Sequence, residues 1–206
     1  MEKIKVPVEE KKESLTIKGS KFISTIIPVK TRDEAESTLE KIRKHYYDAT
    51  HNCFAYRIYP DIERYSDDGE PSNTAGKPIM SAIKGEEMYN TLVVVTRYFG
   101  GTKLGVGGLI KAYTESAKKV LQSVKTVYLE NIKTVNVEVN FNEVNYVYHL
   151  TRLESVKISG EEYSNNGVSF TIRLKADMLE VLKENLREKL NRIPEIIELE
   201  ERLDTL

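Results

Sequence analysis

The chain has 206 residues, 40% of them hydrophobic and 31% charged, enough to bury a core as one large domain or two small ones. A formal net charge of −1 excludes the global basic signature of a nucleic-acid binder, and the single cysteine, Cys53, excludes an intramolecular disulfide. No apolar run approaches the ~20 residues of a membrane-spanning helix, and the stretch from Met1 to Lys12 is charged rather than signal-like, so a cytoplasmic protein is expected.

The charge is unevenly spread. From Val135 onward nine Lys and Arg stand against fourteen Asp and Glu, a net of −5, which leaves +4 for Met1 to Thr134. Opposite biases favour two domains and make the first the better partner for an anion.

Leu15 and Ile17, then Phe22 to Val29, read as two strands joined by a turn at Lys18-Gly19-Ser20, with Pro28 ending the second or placing it at an edge. Thr31-Arg32-Asp33-Glu34 has the spacing of a capping box, and the helix after it puts Ala35, Leu39, Ile42 and Tyr46 on one face. His51-Asn52-Cys53-Phe54-Ala55-Tyr56 opens a third strand that runs to about Tyr59. His51 and Asn52 stand at its start, where side chains either project toward a site or cap the sheet edge.

A long connection with little apolar content follows, from Pro60 to Pro78. Connections of that length inside a compact domain tend to be functional or disordered. Asp67, Asp68 and Glu70 could hold a hard cation such as Mg²⁺, although their spacing is not that of an EF-hand loop. Turn-forming Asp and Gly with flanking prolines explain the same letters without a metal, and no metal or cofactor is expected. Pro78 to Met88 reads as a short helix with Ile79, Met80 and Ile83 inward.

Leu92-Val93-Val94-Val95 is a near-continuous β-branched run, the mark of a central strand covered on both faces. Beyond Arg97-Tyr98-Phe99, five of the eleven glycines fall between Gly100 and Gly108. From Leu109 a helical pattern sets in, with Tyr113, Ala117, Val120 and Val124 inward and Lys111, Glu115 and Lys118 solvated. A glycine-rich turn opening a helix offers free backbone N–H groups to an anion, and Arg97 and Lys103 add charge. The turn matches neither a P-loop nor a dinucleotide fingerprint, and tight helix–sheet packing accounts for the glycines equally well.

Three blocks together carry a resemblance: His51-Asn52-Cys53-Phe54-Ala55-Tyr56; Asp67-Asp68-Gly69-Glu70-Pro71 with Thr74-Ala75-Gly76-Lys77-Pro78; and Arg97-Tyr98-Phe99-Gly100-Gly101 through Leu104-Gly105 with Gly107-Gly108-Leu109. In this order and at these separations they resemble the IMPACT family, and within it the bacterial, YigZ-like branch. The resemblance implies an α+β chain. Its first domain, residues 1–130, would be similar to the second domain of ribosomal protein S5, and its second, residues 131–206, would be a ferredoxin-like βαββαβ domain similar to domains III and V of elongation factor G. It also implies kinship with eukaryotic regulators of translation that act by binding a partner protein. No catalytic residue set carries over.

The second half reads accordingly. Gln122 to Thr134 is expected as the linker and the end of the first domain; Val135, Val137 and Val139 alternate as a strand; Asn142 is a candidate N-cap for a helix with Val144, Val147, Tyr148 and Leu150 inward. Val156–Tyr163 and Val168–Leu174 form strands joined by an Asn165-Asn166-Gly167 turn. Asp177 is expected to cap a helix carrying Leu179, Leu182, Leu186 and Leu190, and Ile196 to Leu199 form the last strand. Glu138, Glu161, Glu162, Glu198 and Glu200 on these strands argue against an RNA-reading sheet.

The expected ligand or partner surface comprises His51, Asn52, Asp67, Asp68, Glu70, Thr74, Gly76, Arg97, Gly100, Gly101, Lys103, Gly105 and Gly107, gathered on one face of the first domain. No nucleophile–base pair is visible; Cys53 lies inside a strand and reads as core. The chain is therefore expected to be a binding protein of translation, contacting RNA, the ribosome or a protein partner. The alternative is an enzyme or small-ligand binder with an anion cleft between the Asp67–Pro78 loop and the Gly100–Gly108 turn.

Overall fold

A computed structural model of the chain describes residues 3–150, 155–192 and 194–206. It is a mixed α/β protein with two sheets and, among the described residues, five α-helices, and it divides into two units, Ile4–Tyr128 and one built on Leu129–Leu206.

The first unit contains β1 (Ile4–Pro7), β2 (Lys11–Ile17), β3 (Ser20–Pro28), α1 (Arg32–His45), β4 (His51–Ile58), β5 (Ile62–Ser66), α2 (Gly76–Gly85), β6 (Thr91–Tyr98) and α3 (Gly105–Ser123). Its sheet runs β2–β3–β6–β4–β5, antiparallel throughout. The apolar run of β6 sits at the centre. Val93 and Val95 join Cys53 and Ala55 under α2 and α3, while Leu92 and Val94 join Phe54 and Tyr56 under α1. Strand period two thus feeds two cores, one on each face of the sheet. Thr31 Oγ1 accepts from the Glu34 N–H, and the Glu34 carboxylate reaches back to the Lys30 N–H, so the expected cap starts α1.

Two expectations are corrected here. The Pro60–Pro78 connection contains a strand, β5, which among the described residues pairs only with β4 and is exposed over most of its length. An edge strand open on both faces shows no alternation, so the Ile62-Glu63-Arg64-Tyr65 letters carry no strand signal. The α3 helix begins at Gly105 and not at Leu109, so Gly105, Gly107 and Gly108 form its first turn instead of a loop. The first turn of a helix buries little, and it is missed by a pattern that searches for buried positions.

The second unit runs β7 (Thr126–Val139), α4 (Val144–Leu150), β8 (Val156–Tyr163), β9 (Val168–Lys175), α5 (Leu179–Leu190) and β10 (Ile196–Asp204). Its antiparallel strands stand in the order β10–β7–β9–β8, with Val135, Val137, Phe170, Ile172, Leu182 and Leu186 in the core. The stretch expected as linker and end of the first domain, Gln122 to Thr134, does contain the division between the units, after Tyr128, but it is built from the end of α3 and the first part of β7 and not from a loop. Asn140, not Asn142, forms the capping box before α4, with Glu143 as its reciprocal carboxylate. Asp177 lies in a short 3-10 turn ahead of α5, and the residue at the cap of α5 is Met178.

Candidate functional site

All the residues expected to form a surface lie in the first unit. Apart from Gly100, Gly101 and Gly107, they fall into two sets with different physical roles. Asn52, Asp67, Asp68, Thr74 and Gly76 build the scaffold. The Asp67 carboxylate accepts from the backbone N–H groups of Asn73, Ala75 and Gly76, at 2.8 to 2.9 Å, and so caps α2 from outside the helix. Asp68 accepts from the Asn52 N–H and pairs with Arg43 on α1, 2.7 and 2.9 Å away. The Asn52 side chain is buried between the Tyr46 carbonyl and the Thr96 hydroxyl, and Thr74 donates to the Pro71 carbonyl. Gly76 allows α2 to pass close to β5: a Cβ there would stand 2.7 Å from the Ser66 carbonyl.

His51, Glu70, Arg97, Lys103 and Gly105 form the second set and line one cleft of about 400 Å³. Glu70, at the end of the acidic loop, and the start of α3 therefore line the same cleft. Thr50, Pro71, Phe99, Leu104, Val106 and Leu109 complete the walls.

Arg97 extends from the end of β6 and is 5% exposed; its Nη1 donates to Glu70 Oε1, and its Nη2 lies 3.5 Å from Ser20 Oγ. Its Nε is buried with no hydrogen-bond partner among the described residues, and the guanidinium stands 5.6 Å from the ring centroids of Phe22 and Phe99. Tyr113 donates to the same Glu70 oxygen at 2.8 Å. His51 donates from Nδ1 to the Asp68 carbonyl at 2.7 Å, which leaves Nε2 facing Glu70 Oε2 at 3.9 Å.

Behind this layer the Cys53 thiol donates to the Asp67 carbonyl, and the Tyr113 hydroxyl lies 3.3 Å from its sulfur. Burial first, then neighbouring carboxylates, push the Cys53 thiol well above its usual range; burial does the same to Tyr113. Both groups stay neutral, so Cys53 is core and no nucleophile. Among the described residues, no three His, Cys, Asp or Glu side chains gather in a way that could hold a metal ion. The three carboxylates of the loop point to three different sets of donors, which is why their closeness in sequence does not become a cation site.

Gly100 and Gly101 flank the cleft without lining it. Gly100 is fixed by packing: its N–H donates to Ser20 Oγ, and a Cβ would fall 1.9 Å from the Gly19 carbonyl carbon. Gly107 meets nothing, since a Cβ there has open space on every side. Sequence reading missed the apolar wall made by Phe99, Leu104 and Val106, although Phe99 and Leu104 sit inside the third recognised block; exposed apolar letters in a glycine-rich segment gave the only signal.

A profile of the Impact N-terminal domain matches residues 18–121, which contain every element of this cleft. The chain belongs to the IMPACT family. The IMPACT family member YvyE of Bacillus subtilis is 36% identical over 160 residues, 77% of this chain and 74% of its own length. An IMPACT family member of Thermus thermophilus is 39% identical over 158 residues, 77% of this chain and 86% of its own length. The crystal structure of a hypothetical protein shares the fold over 97% of this chain and 98% of its own, with a TM-score of 0.64 and 26% identity. The IMPACT blocks quoted above thus divide between scaffold and cleft, and no helix among the described residues is long and apolar enough to cross a membrane.

Proposed function

We propose that this IMPACT protein is a non-enzymatic binding protein associated with translation, which contacts RNA, the ribosome or a ribosome-associated protein through its first unit. One observation carries the reading: every carboxylate of the acidic loop is engaged by the scaffold, Asp67 by three backbone amides, Asp68 by Arg43 and Asn52, and Glu70 by Arg97 and Tyr113. What remains on the cleft lining is Lys103, apolar side chains and a His51 whose Nδ1 is held by the Asp68 carbonyl, a set that suits binding. We read the first unit as S5-domain-2-like and the second, from about residue 131, as ferredoxin-like; the βαββαβ order and the β10–β7–β9–β8 sheet support the latter.

The Lys18-Gly19 turn packs on Gly100, so exposed Lys18 and Lys103 stand at the same end of the sheet, where Lys21 pairs with Tyr98. A phosphate backbone is the polyanion that such lysines suit. Co-sedimentation with ribosomes and RNA binding at two salt concentrations test this. Affinity should fall steeply with salt, and replacing Lys18, Lys21 and Lys103 by Ala should lower the logarithmic salt slope by about 2 to 3. No association at low salt sinks the nucleic-acid reading.

A second reading, binding of a small ligand, is favoured by the cleft itself. Its volume of about 400 Å³ lies within the usual range of ligand sites.

A further inference from the structure

The cleft has two kinds of lining. One is apolar: Phe99, Leu104, Val106 and Leu109, of which Phe99 and Val106 remain 47% and 59% exposed. The other is electropositive. The 19-residue α3 opens into the cleft at Gly105, its N-cap Leu104 offers no side-chain acceptor, and no acid stands in its first turn. Lys103 lines the cleft beside it. Arg97 on the same lining is more than nine-tenths buried and keeps an Nε without a hydrogen-bond partner.

Glu70 also faces this space, but it is spent on Arg97, and the two charges cancel. The charge left over is that of Lys103 and the positive end of α3, which calls for an anion. The same unit contains the complement of this arrangement, because the amino end of α2 is closed by the Asp67 carboxylate.

We propose that the cleft takes an organic acid, with one carboxylate seated at the amino end of α3 beside Lys103 and an apolar body against Phe99, Val106 and Leu109. The inference rests on the second reading above, that the cleft holds a small ligand, and adds the chemical class.

Three probes test it on the full chain: 4-phenylbutyrate, the matched alcohol 4-phenylbutan-1-ol, and acetate. Binding is followed by calorimetry and by the methyl signals of Leu104, Val106 and Leu109. The acid should bind and shift those signals, with the alcohol and acetate each weaker by about tenfold or more. The variant Val106→Asp places a carboxylate of the chain at the start of α3. Both probes lose the Val106 contact, so the acid should weaken by about tenfold more than the alcohol does, with the thermal midpoint level or raised. An alcohol that binds as tightly as the acid, acetate that binds as tightly as the acid, or an acid that loses no more than the alcohol to Val106→Asp would overturn the organic-acid assignment alone. Silence of the cleft methyls toward all three probes would overturn the small-ligand reading with it.

Discussion

The Arg97–Glu70 pair offers the sharpest test of how this unit is held together. Both side chains are nearly excluded from water, at 6% and 3% exposure, and they join the end of β6 to the acidic loop. Glu70→Leu strands a guanidinium that keeps only the distant Ser20 hydroxyl; Arg97→Met strands a carboxylate that keeps Tyr113. Removing one member of such a pair costs about 3–5 kcal/mol, whereas replacing both with apolar residues of similar volume is close to neutral. Here the double variant leaves the Tyr113 hydroxyl without its acceptor, which adds about 1 kcal/mol. Each single substitution should therefore cost about 4 kcal/mol and the double about 1–2, a coupling of about 6 kcal/mol. Urea unfolding of the four proteins measures this, with amide exchange of Val93, Val94 and Val95 reporting the first unit separately from the second. Single losses that add to the double within about 0.5 kcal/mol would refute the reasoning, because the two charges would then be independent.

Three further outcomes follow from the same geometry. Asp67→Asn keeps one acceptor oxygen for Ala75 and Gly76 but turns an amide toward the Asn73 N–H, and should cost about 2 kcal/mol in urea unfolding. Gly100→Ala should lose at least about 3 kcal/mol or fail to fold, since its Cβ meets the Gly19 backbone, whereas Gly107→Ala should gain about 0.5–1 kcal/mol in thermal unfolding. In the second unit the Arg192 guanidinium, opposed by burial and aided by the Asn140 N–H, holds the Glu143 carboxyl below its usual range. A depressed carboxylate stabilises above its unfolded pKa and loses that effect as pH falls through the folded one. Glu143→Gln should thus cost about 1 kcal/mol at pH 7 and progressively less toward pH 3, as read by denaturant unfolding at both.

Much of this architecture is legible in the chain because burial is periodic. The unbroken Leu92 to Val95 run announces a strand covered on both faces, and the Leu179, Leu182, Leu186 spacing announces the face of α5. What escapes has no such period. The edge strand β5 buries little; the first turn of α3 is glycine, valine and glycine in open space; and a 14-residue β7 changes environment along its length, so only its alternating end reads as strand. The cleft was half legible. The recognised blocks name His51, Glu70, Arg97, Lys103 and Gly105, which line the cleft, together with Asp67, Asp68 and Asn52, which are engaged by the scaffold instead. A carboxylate in a loop satisfies whichever backbone amides the fold leaves open, and the sequence does not say which helix end that will be.

The amino ends of α2 and α3 make the same point in opposite ways. At α2 the open N–H groups meet Asp67, eight and nine residues earlier in the chain, and the polar requirement is met within the fold. At α3 the chain supplies leucine at the cap, glycine and valine in the first turn, and a lysine two residues before Gly105. An exposed helix start with no acid nearby costs little in water, because water takes the N–H groups. Beside the exposed rings and methyls of Phe99 and Val106, water is poorly held on the apolar side and displaced readily, so an acid with an apolar body gains on both counts. The glycines of this segment thus contribute by what they omit: among the described residues a Cβ at Gly105 or Gly107 would meet nothing, and no acid stands in the first turn to do what Asp67 does at α2.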